Sequence, residues 1–131
     1  VGSEYAFAQK IPYATIQNQR GEWVEPTAET ISAAASGEIP ADTRTSITNS
    51  NAVGAYPIAT FTWVIIYKEQ NYSDRSKEQA VATLDLLQYI LSDNAQNITS
   101  EVHYAPLPTK AKELSLKNLK TVTYDGVTIL Q

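Results

Sequence analysis

The side chains that most often carry catalysis or bind metals are sparse in this sequence. Cysteine is absent and His103 is the only histidine, so neither a cysteine nucleophile nor a multi-histidine metal site is available. Two carboxylate pairs, Glu22 with Glu25 and Glu38 with Asp42, are spaced closely enough to be posed as acid–base pairs. Both pairs lie in polar stretches typical of solvated loops. The sequence therefore predicts no catalytic residue, no metal site and no cofactor.

Composition limits the remaining possibilities. The chain has 131 residues, of which 43% are hydrophobic and 18% charged, and this balance is typical of one globular domain. A net charge of −4 argues against a nucleic-acid partner, whose phosphates require a basic surface. The longest apolar run, at 63–67, is far shorter than a membrane span. The chain begins at Val1 without a signal peptide, and we expect it to be a fragment, a processed product or a trimmed piece.

The first half of the chain predicts a hairpin, one helix and a buried strand. Alternation over 11–18, a turn at 18–21 and residues 22–24 predict two antiparallel strands. Thr27 is placed to cap a helix and Gly37 to end it in a left-handed conformation. A polar loop follows, with one short strand expected at 45–48. The apolar segment 55–68 predicts a strand buried on both faces of a sheet.

The second half predicts three helices and a hairpin. Ser76 and Asp93 each begin a capping-box pattern, and Thr109 is placed to cap a third helix. Asp125 and Gly126 form a strong two-residue turn signal between two short strands. These elements indicate an α/β fold with a mixed sheet flanked by helices.

Short strings in a fixed order resemble one protein family. They are EYAFA at 4–8, PT at 26–27, DTRTSITN at 42–49, AYPI at 55–58 and YAPLP at 104–108. Each string alone is weak, but their order across nearly the whole chain is specific. The chain thus resembles the C-terminal part of the extracytoplasmic phosphate-binding proteins, periplasmic or lipoprotein, that serve ABC transporters.

The resemblance implies part of a two-lobed periplasmic-binding-protein fold that closes like a Venus flytrap. Residues 1–55 would belong to the second lobe, 56–58 to a crossing between lobes, and 59–131 to the first lobe. The implied function is capture of inorganic phosphate and delivery to an ABC transporter permease, without catalysis. Such a fragment would leave an apolar sheet edge near 61–67, so we expect either the missing N-terminal part as a complementing chain or self-association.

In this family the phosphate ligands resemble a Ser-Gly-Thr run with other polar positions that all precede the matched part. This chain has no such run, and Arg44, inside a matched string, is predicted to be a structural or surface residue. Tyr56 and Pro57 are the only candidate cleft or hinge residues, because they lie at the implied crossing and Pro57 restricts Tyr56 to extended backbone.

Two other functions remain open from the sequence. A signalling or adhesion protein could use the same fold, and what precedes Val1 would distinguish it. A phosphatase-like enzyme on a related scaffold is the third possibility, although no nucleophile–base pair supports it.

Overall fold

The computed structural model describes residues 2–130 as an assembly of short helices and small antiparallel sheets. In chain order the elements are α1 (Ser3–Ala8), β1 (Ile16–Gln17), β2 (Trp23–Val24), α2 (Ala28–Ala34), α3 (Lys77–Ile90), α4 (Asp93–Thr99), a 3₁₀ turn (Ser100–Val102), α5 (Thr109–Leu119), β3 (Thr123–Tyr124) and β4 (Val127–Thr128). No helix among these residues has both the length and the apolar character to cross a membrane. The content of helices and strands is compatible with the α/β class.

Side-chain caps begin helices α2 and α3 at the residues that the sequence predicts. Thr27 and Ser76 each accept a hydrogen bond from the backbone N–H three residues later, and both form reciprocal capping boxes. The cap of α4 is Ser92 rather than Asp93, which is the first helical residue. Thr109 is likewise inside α5 and does not cap it, because Pro108 occupies the cap position. These two predictions of the capping residue are wrong by one position.

Both predicted hairpins are present. In the first, Ile16 pairs with Val24 and Gln17 with Trp23, so only the end of the predicted strand 11–18 is in the ladder. In the second, β3 and β4 pair antiparallel around Asp125 and Gly126. Both turn residues have positive φ (52° and 74°), as a two-residue type I′ turn requires.

The apolar side chains form two separate clusters. The first comprises Ala34, Ala35, Ile47, Ala55 and Ala59, with Ile31, Ala52 and Phe61 packed against it. The second comprises Leu84, Leu119 and Val122, with Ile66, Leu87, Leu91, Ile129 and Leu130 around it. The first cluster is built mostly of alanines, so α2 approaches its neighbours closely. The second is built of larger side chains from α3, α5 and the C-terminal hairpin.

Three predictions made from the sequence for residues 37–67 are wrong. Residues 61–67 form no strand and are largely exposed, although their apolar run predicted a strand buried on both faces. Residues 45–48 also form no strand. Gly37 does not end α2, since the helix stops at Ala34 with Ala35 in a φ of −90°. Among the described residues, the predicted mixed sheet is represented only by one parallel bridge, between Glu69 and Thr123.

The Glu69 carboxylate fastens this bridge to the C-terminal hairpin. It accepts hydrogen bonds from the backbone N–H groups of Asn71 (2.9 Å), Asp125 (3.0 Å) and Gly126 (3.1 Å) and from the Thr123 hydroxyl (2.8 Å). The Asn71 amide, the Thr123 hydroxyl and the hairpin amides together lower the pKa of Glu69 to about 2. The carboxylate thus supplies acceptors for a turn whose amides would otherwise point only to water.

Acid should weaken this link selectively. Because the folded-state pKa of Glu69 is depressed, its contribution to stability is complete above pH 4.5, its ordinary value, and is lost as the pH falls toward about 2. Glu69→Gln should therefore unfold at lower urea concentration than wild type at pH 7, and the difference should narrow by pH 3. Urea unfolding followed by circular dichroism at both pH values measures this. Glu101→Gln, at an exposed carboxylate, is the control; an equal pH response in both variants would contradict the role of Glu69.

The second cluster should depend on Leu84, which is fully buried at 0% exposure. Leu84→Ala should lower the free energy of unfolding by about 2–5 kcal/mol, because it removes apolar contacts and leaves a cavity. Leu86→Ala, two residues away on the same helix but 58% exposed, should change it by less than about 0.5 kcal/mol. Urea unfolding at pH 7 compares the two, and equal losses would place the core elsewhere.

Candidate functional site

The segment that the sequence singles out, 55–58, is held on both sides by backbone hydrogen bonds. The Tyr56 N–H donates to the Thr30 carbonyl of α2 at 2.9 Å. The Pro57 carbonyl accepts from the Asn49 N–H at 2.8 Å. Pro57 is buried, whereas Tyr56 is half-buried. Segment 55–58 is therefore anchored to α2 and to the loop that contains Asn49, and the Tyr56 side chain is partly accessible.

A buried amide connects the first hairpin to this segment. Asn18 is only 6% exposed, and its Nδ2 donates both to the Ala55 carbonyl (3.2 Å) and to Glu22 Oε2 (2.8 Å). Its Oδ1 accepts from the N–H groups of Arg20 and Glu22, each at 3.0 Å. One side chain thus shapes the turn of the hairpin and reaches residues far along the chain.

Glu22 completes the connection from the same turn. Its Oε2 also accepts from the Gly54 N–H at 2.8 Å, next to Ala55. The Asn18 amide lowers the pKa of Glu22 most, followed by the Gly54 N–H and by Arg20, whose Nε lies 3.9 Å from Oε1. Gly54 has a φ of 68°, a left-handed conformation that suits glycine. The ionised carboxylate has a structural role here.

The other candidate side chains are placed apart from this segment. Arg44 is paired with Asp42 at 2.8 Å and its side chain is 84% exposed, as expected of a surface residue. His103 lies at the end of the 3₁₀ turn, with its ring 5.7 Å from the ring of Phe7. Within residues 2–130 no group of three metal-binding side chains comes together.

Among the open surface cavities of residues 2–130, one is lined in part by Glu38 and another by His103. One, of about 610 Å³, is lined by Ser36, Gly37, Glu38, Ile39, Pro40 and Lys110. The other, of about 420 Å³, is lined by Phe7, Thr27, Ala28, Ser100, His103 and Tyr104. Neither is lined by Tyr56 or Pro57, and the first presents charges of both signs.

Sequence reasoning considered Glu22 only as a carboxylate paired with Glu25 in a solvated loop, and it did not identify Asn18 and Glu22 as an anchoring pair. The signal that identifies it is indirect, since a turn at 18–21 was predicted and asparagine often bonds its own turn backbone. The long-range bonds of this pair, between Glu22 and Gly54 and between Asn18 and Ala55, span 32 and 37 residues. Local sequence patterns cannot predict them. The string YAPLP at 104–108 is held by a second buried amide, since Gln96 Oε1 accepts a hydrogen bond from the Leu107 N–H at 2.7 Å.

Within residues 2–130, buried amides tie turns and loops of this small scaffold together. Curated relatives of this chain bear the name phosphate-binding protein PstS. The relative from Xylella fastidiosa (strain Temecula1) is 36% identical over 107 residues, which cover 79% of this chain and 28% of the relative. The relative from Methanocaldococcus jannaschii is 30% identical over 127 residues (90% and 33%). That from Pasteurella multocida is 26% identical over 135 residues (98% and 38%).

No family model matches the chain. The consistent identity across most of its length nevertheless shows that the chain is similar to phosphate-binding proteins. It spans 28% to 38% of the length of the relatives that it matches.

The buried amide of Asn18 should be a principal support of the 54–55 segment. Asn18→Ala should lower the free energy of unfolding by about 1–3 kcal/mol, because it leaves a buried carbonyl and two turn amides unpaired. Hydrogen exchange at the Gly54 amide should also accelerate, since its acceptor Glu22 loses its own partner. Asn51→Ala, at an exposed asparagine in the neighbouring loop, is the control. Unchanged exchange at Gly54 would contradict the coupling.

Proposed function

We propose that this chain is the C-terminal part of an extracytoplasmic solute-binding protein that captures inorganic phosphate for an ABC transporter. The observation that carries the proposal is the similarity to phosphate-binding proteins, which extends over 79% to 98% of the chain. Function in this proposal is reversible capture and delivery to the transporter's permease. No catalysis, metal or cofactor is required.

The phosphate ligands belong, in this proposal, to the part of the protein outside this chain. A nearly dehydrated phosphate is usually held by an arginine together with backbone N–H groups. The three arginines here all have other partners. Arg20 lies near Glu22, Arg44 is paired with Asp42, and Arg75 donates to the Gln79 carbonyl and to the Thr83 hydroxyl. These partners support a scaffolding role for the chain.

The two apolar clusters support the proposed division into lobes. Residues 1–55 would belong to the second lobe, 56–58 to the crossing and 59–131 to the first lobe. The first cluster draws mainly on residues before the crossing and the second on residues after it. The change from the first cluster to the second occurs a few residues after the proposed boundary. Ala59 and Phe61 still contact the first cluster, and Ile66 is the first residue after them to contact the second. Tyr56 and Pro57 remain the proposed hinge residues.

The partners follow from the same proposal. The complete protein would bind phosphate and an ABC transporter permease outside the cytoplasm, as a periplasmic protein or a cell-surface lipoprotein. The exposed run at 61–67 supports a further partner, either a complementing part of the same protein or a second copy.

Calorimetry tests the proposed function directly. The complete polypeptide that contains this chain should bind inorganic phosphate at one site with micromolar or tighter affinity, and sulfate much more weakly, because sulfate has no proton to donate to a carboxylate acceptor. The 131-residue chain alone should give no measurable heat with phosphate. Failure of the complete polypeptide to bind phosphate would overturn the function. Micromolar binding by the chain alone would overturn the proposed location of the ligands.

A further inference from the structure

Asp125 and Gly126, the turn residues of the second hairpin, form a dipeptide with covalent chemistry of its own. Asp125 is the only aspartate in the sequence that precedes a glycine. The backbone nitrogen of the next residue can attack an aspartate side chain, and glycine hinders this attack least because it has no β-carbon. Both residues are exposed, and beyond the chain neighbours of Gly126 no atom lies within 4 Å of the position that a β-carbon would take. Water therefore reaches the dipeptide.

The reaction exchanges bonds without oxidation or reduction. The Gly126 nitrogen attacks Cγ of the protonated Asp125 carboxyl, so that a C–N bond forms and a C–O bond breaks. The hydroxyl leaves with the amide proton as water, and the product is a cyclic succinimide. Water then opens the ring at either carbonyl. Opening at Cγ restores aspartate, whereas opening at the backbone carbonyl leaves Gly126 joined through Cγ, which is an isoaspartate linkage.

Glu69 restrains the attacking nitrogen. Its Oε2 accepts the Gly126 N–H at 3.1 Å, and its Oε1 accepts the Asp125 N–H at 3.0 Å. Attack requires that the Gly126 nitrogen lose its proton. The hydrogen bonds to Glu69 lower its pKa to about 2, so this carboxylate is a weak base that does not take the proton. Its negative charge also opposes the negative charge that would develop on the nitrogen.

The carboxyl group that would be attacked is restrained separately. The Asn71 Nδ2 donates a hydrogen bond to Asp125 Oδ1. The backbone of the turn is fixed as well, because the strands on either side of it are paired, with Tyr124 opposite Val127. The nitrogen and the carboxyl are thus held by different side chains, and the reaction requires at least the first of these hydrogen bonds to open.

We propose that Asp125–Gly126 is a site of succinimide and isoaspartate formation, and that the hydrogen bond from the Gly126 amide to Glu69 sets the rate. The isoaspartate linkage adds one carbon to the main chain inside a two-residue turn. The pairing of β3 with β4 cannot keep its register around the longer turn, and the two turn amides no longer match the Glu69 carboxylate. The modification therefore releases the C-terminal hairpin from the parallel bridge between Glu69 and Thr123.

Ageing of the folded chain at neutral pH tests the proposal, with isoaspartate measured by peptide mapping and by an isoaspartyl methyltransferase. Isoaspartate at position 125 should form slowly in wild type and several-fold faster in Glu69→Gln, which keeps the size of the side chain but removes its charge and one acceptor. Glu101→Gln, at an exposed carboxylate, should match wild type. Equal rates in wild type and Glu69→Gln would overturn the proposal.

A second variant separates the local hydrogen bond from general stability. Leu84→Ala weakens the second apolar cluster but leaves Glu69 in place, so its rate should stay near that of wild type while circular dichroism shows both chains folded. A rise as large as that in Glu69→Gln would overturn the proposal, because the reaction would then follow unfolding. The chain unfolded in urea gives the unrestrained rate. A folded wild-type chain that reacts equally fast would also overturn the proposal, since Glu69 would then restrain nothing.

Discussion

The hydrogen bonds of the Asn18 amide are the interaction on which the N-terminal half depends. This half has a cluster composed mainly of alanines, and small side chains bury little apolar surface each. A buried amide with four hydrogen bonds therefore contributes a large share of what orients the first hairpin against residues 54–55. The positions of Tyr56 and Pro57 follow, since they continue directly from the carbonyl that Asn18 binds.

Carboxylates in this chain serve as acceptors for backbone amides. Glu22 receives the Gly54 N–H, and Glu69 receives amides from both its own turn and the C-terminal hairpin. Both pKa values are lowered by these bonds, so both carboxylates are ionised at neutral pH. Glu22 and Glu69 thus connect segments that are distant along the chain.

Local signals in the sequence predicted the elements that local forces form. The capping boxes at Thr27 and Ser76 and the turn at Asp125 and Gly126 are confirmed, because each depends on residues within one turn of the chain. The apolar run 61–67 was predicted to be a buried strand and is neither paired nor buried. An apolar run expresses a preference for burial, but burial requires a covering surface, and that surface is not supplied by the described residues.

By itself the sequence indicated the resemblance to phosphate-binding proteins, through short strings in a fixed order, together with the starts of α2 and α3 and the hairpin turns. Only the tertiary structure decided that Asn18 and Glu22 bind the 54–55 segment, that Glu69 binds the last hairpin, and that the apolar side chains divide into two clusters. The physical reason is distance along the chain. A cap or turn is stabilised by neighbours that the sequence places side by side, whereas these contacts join residues that only the folded backbone brings together.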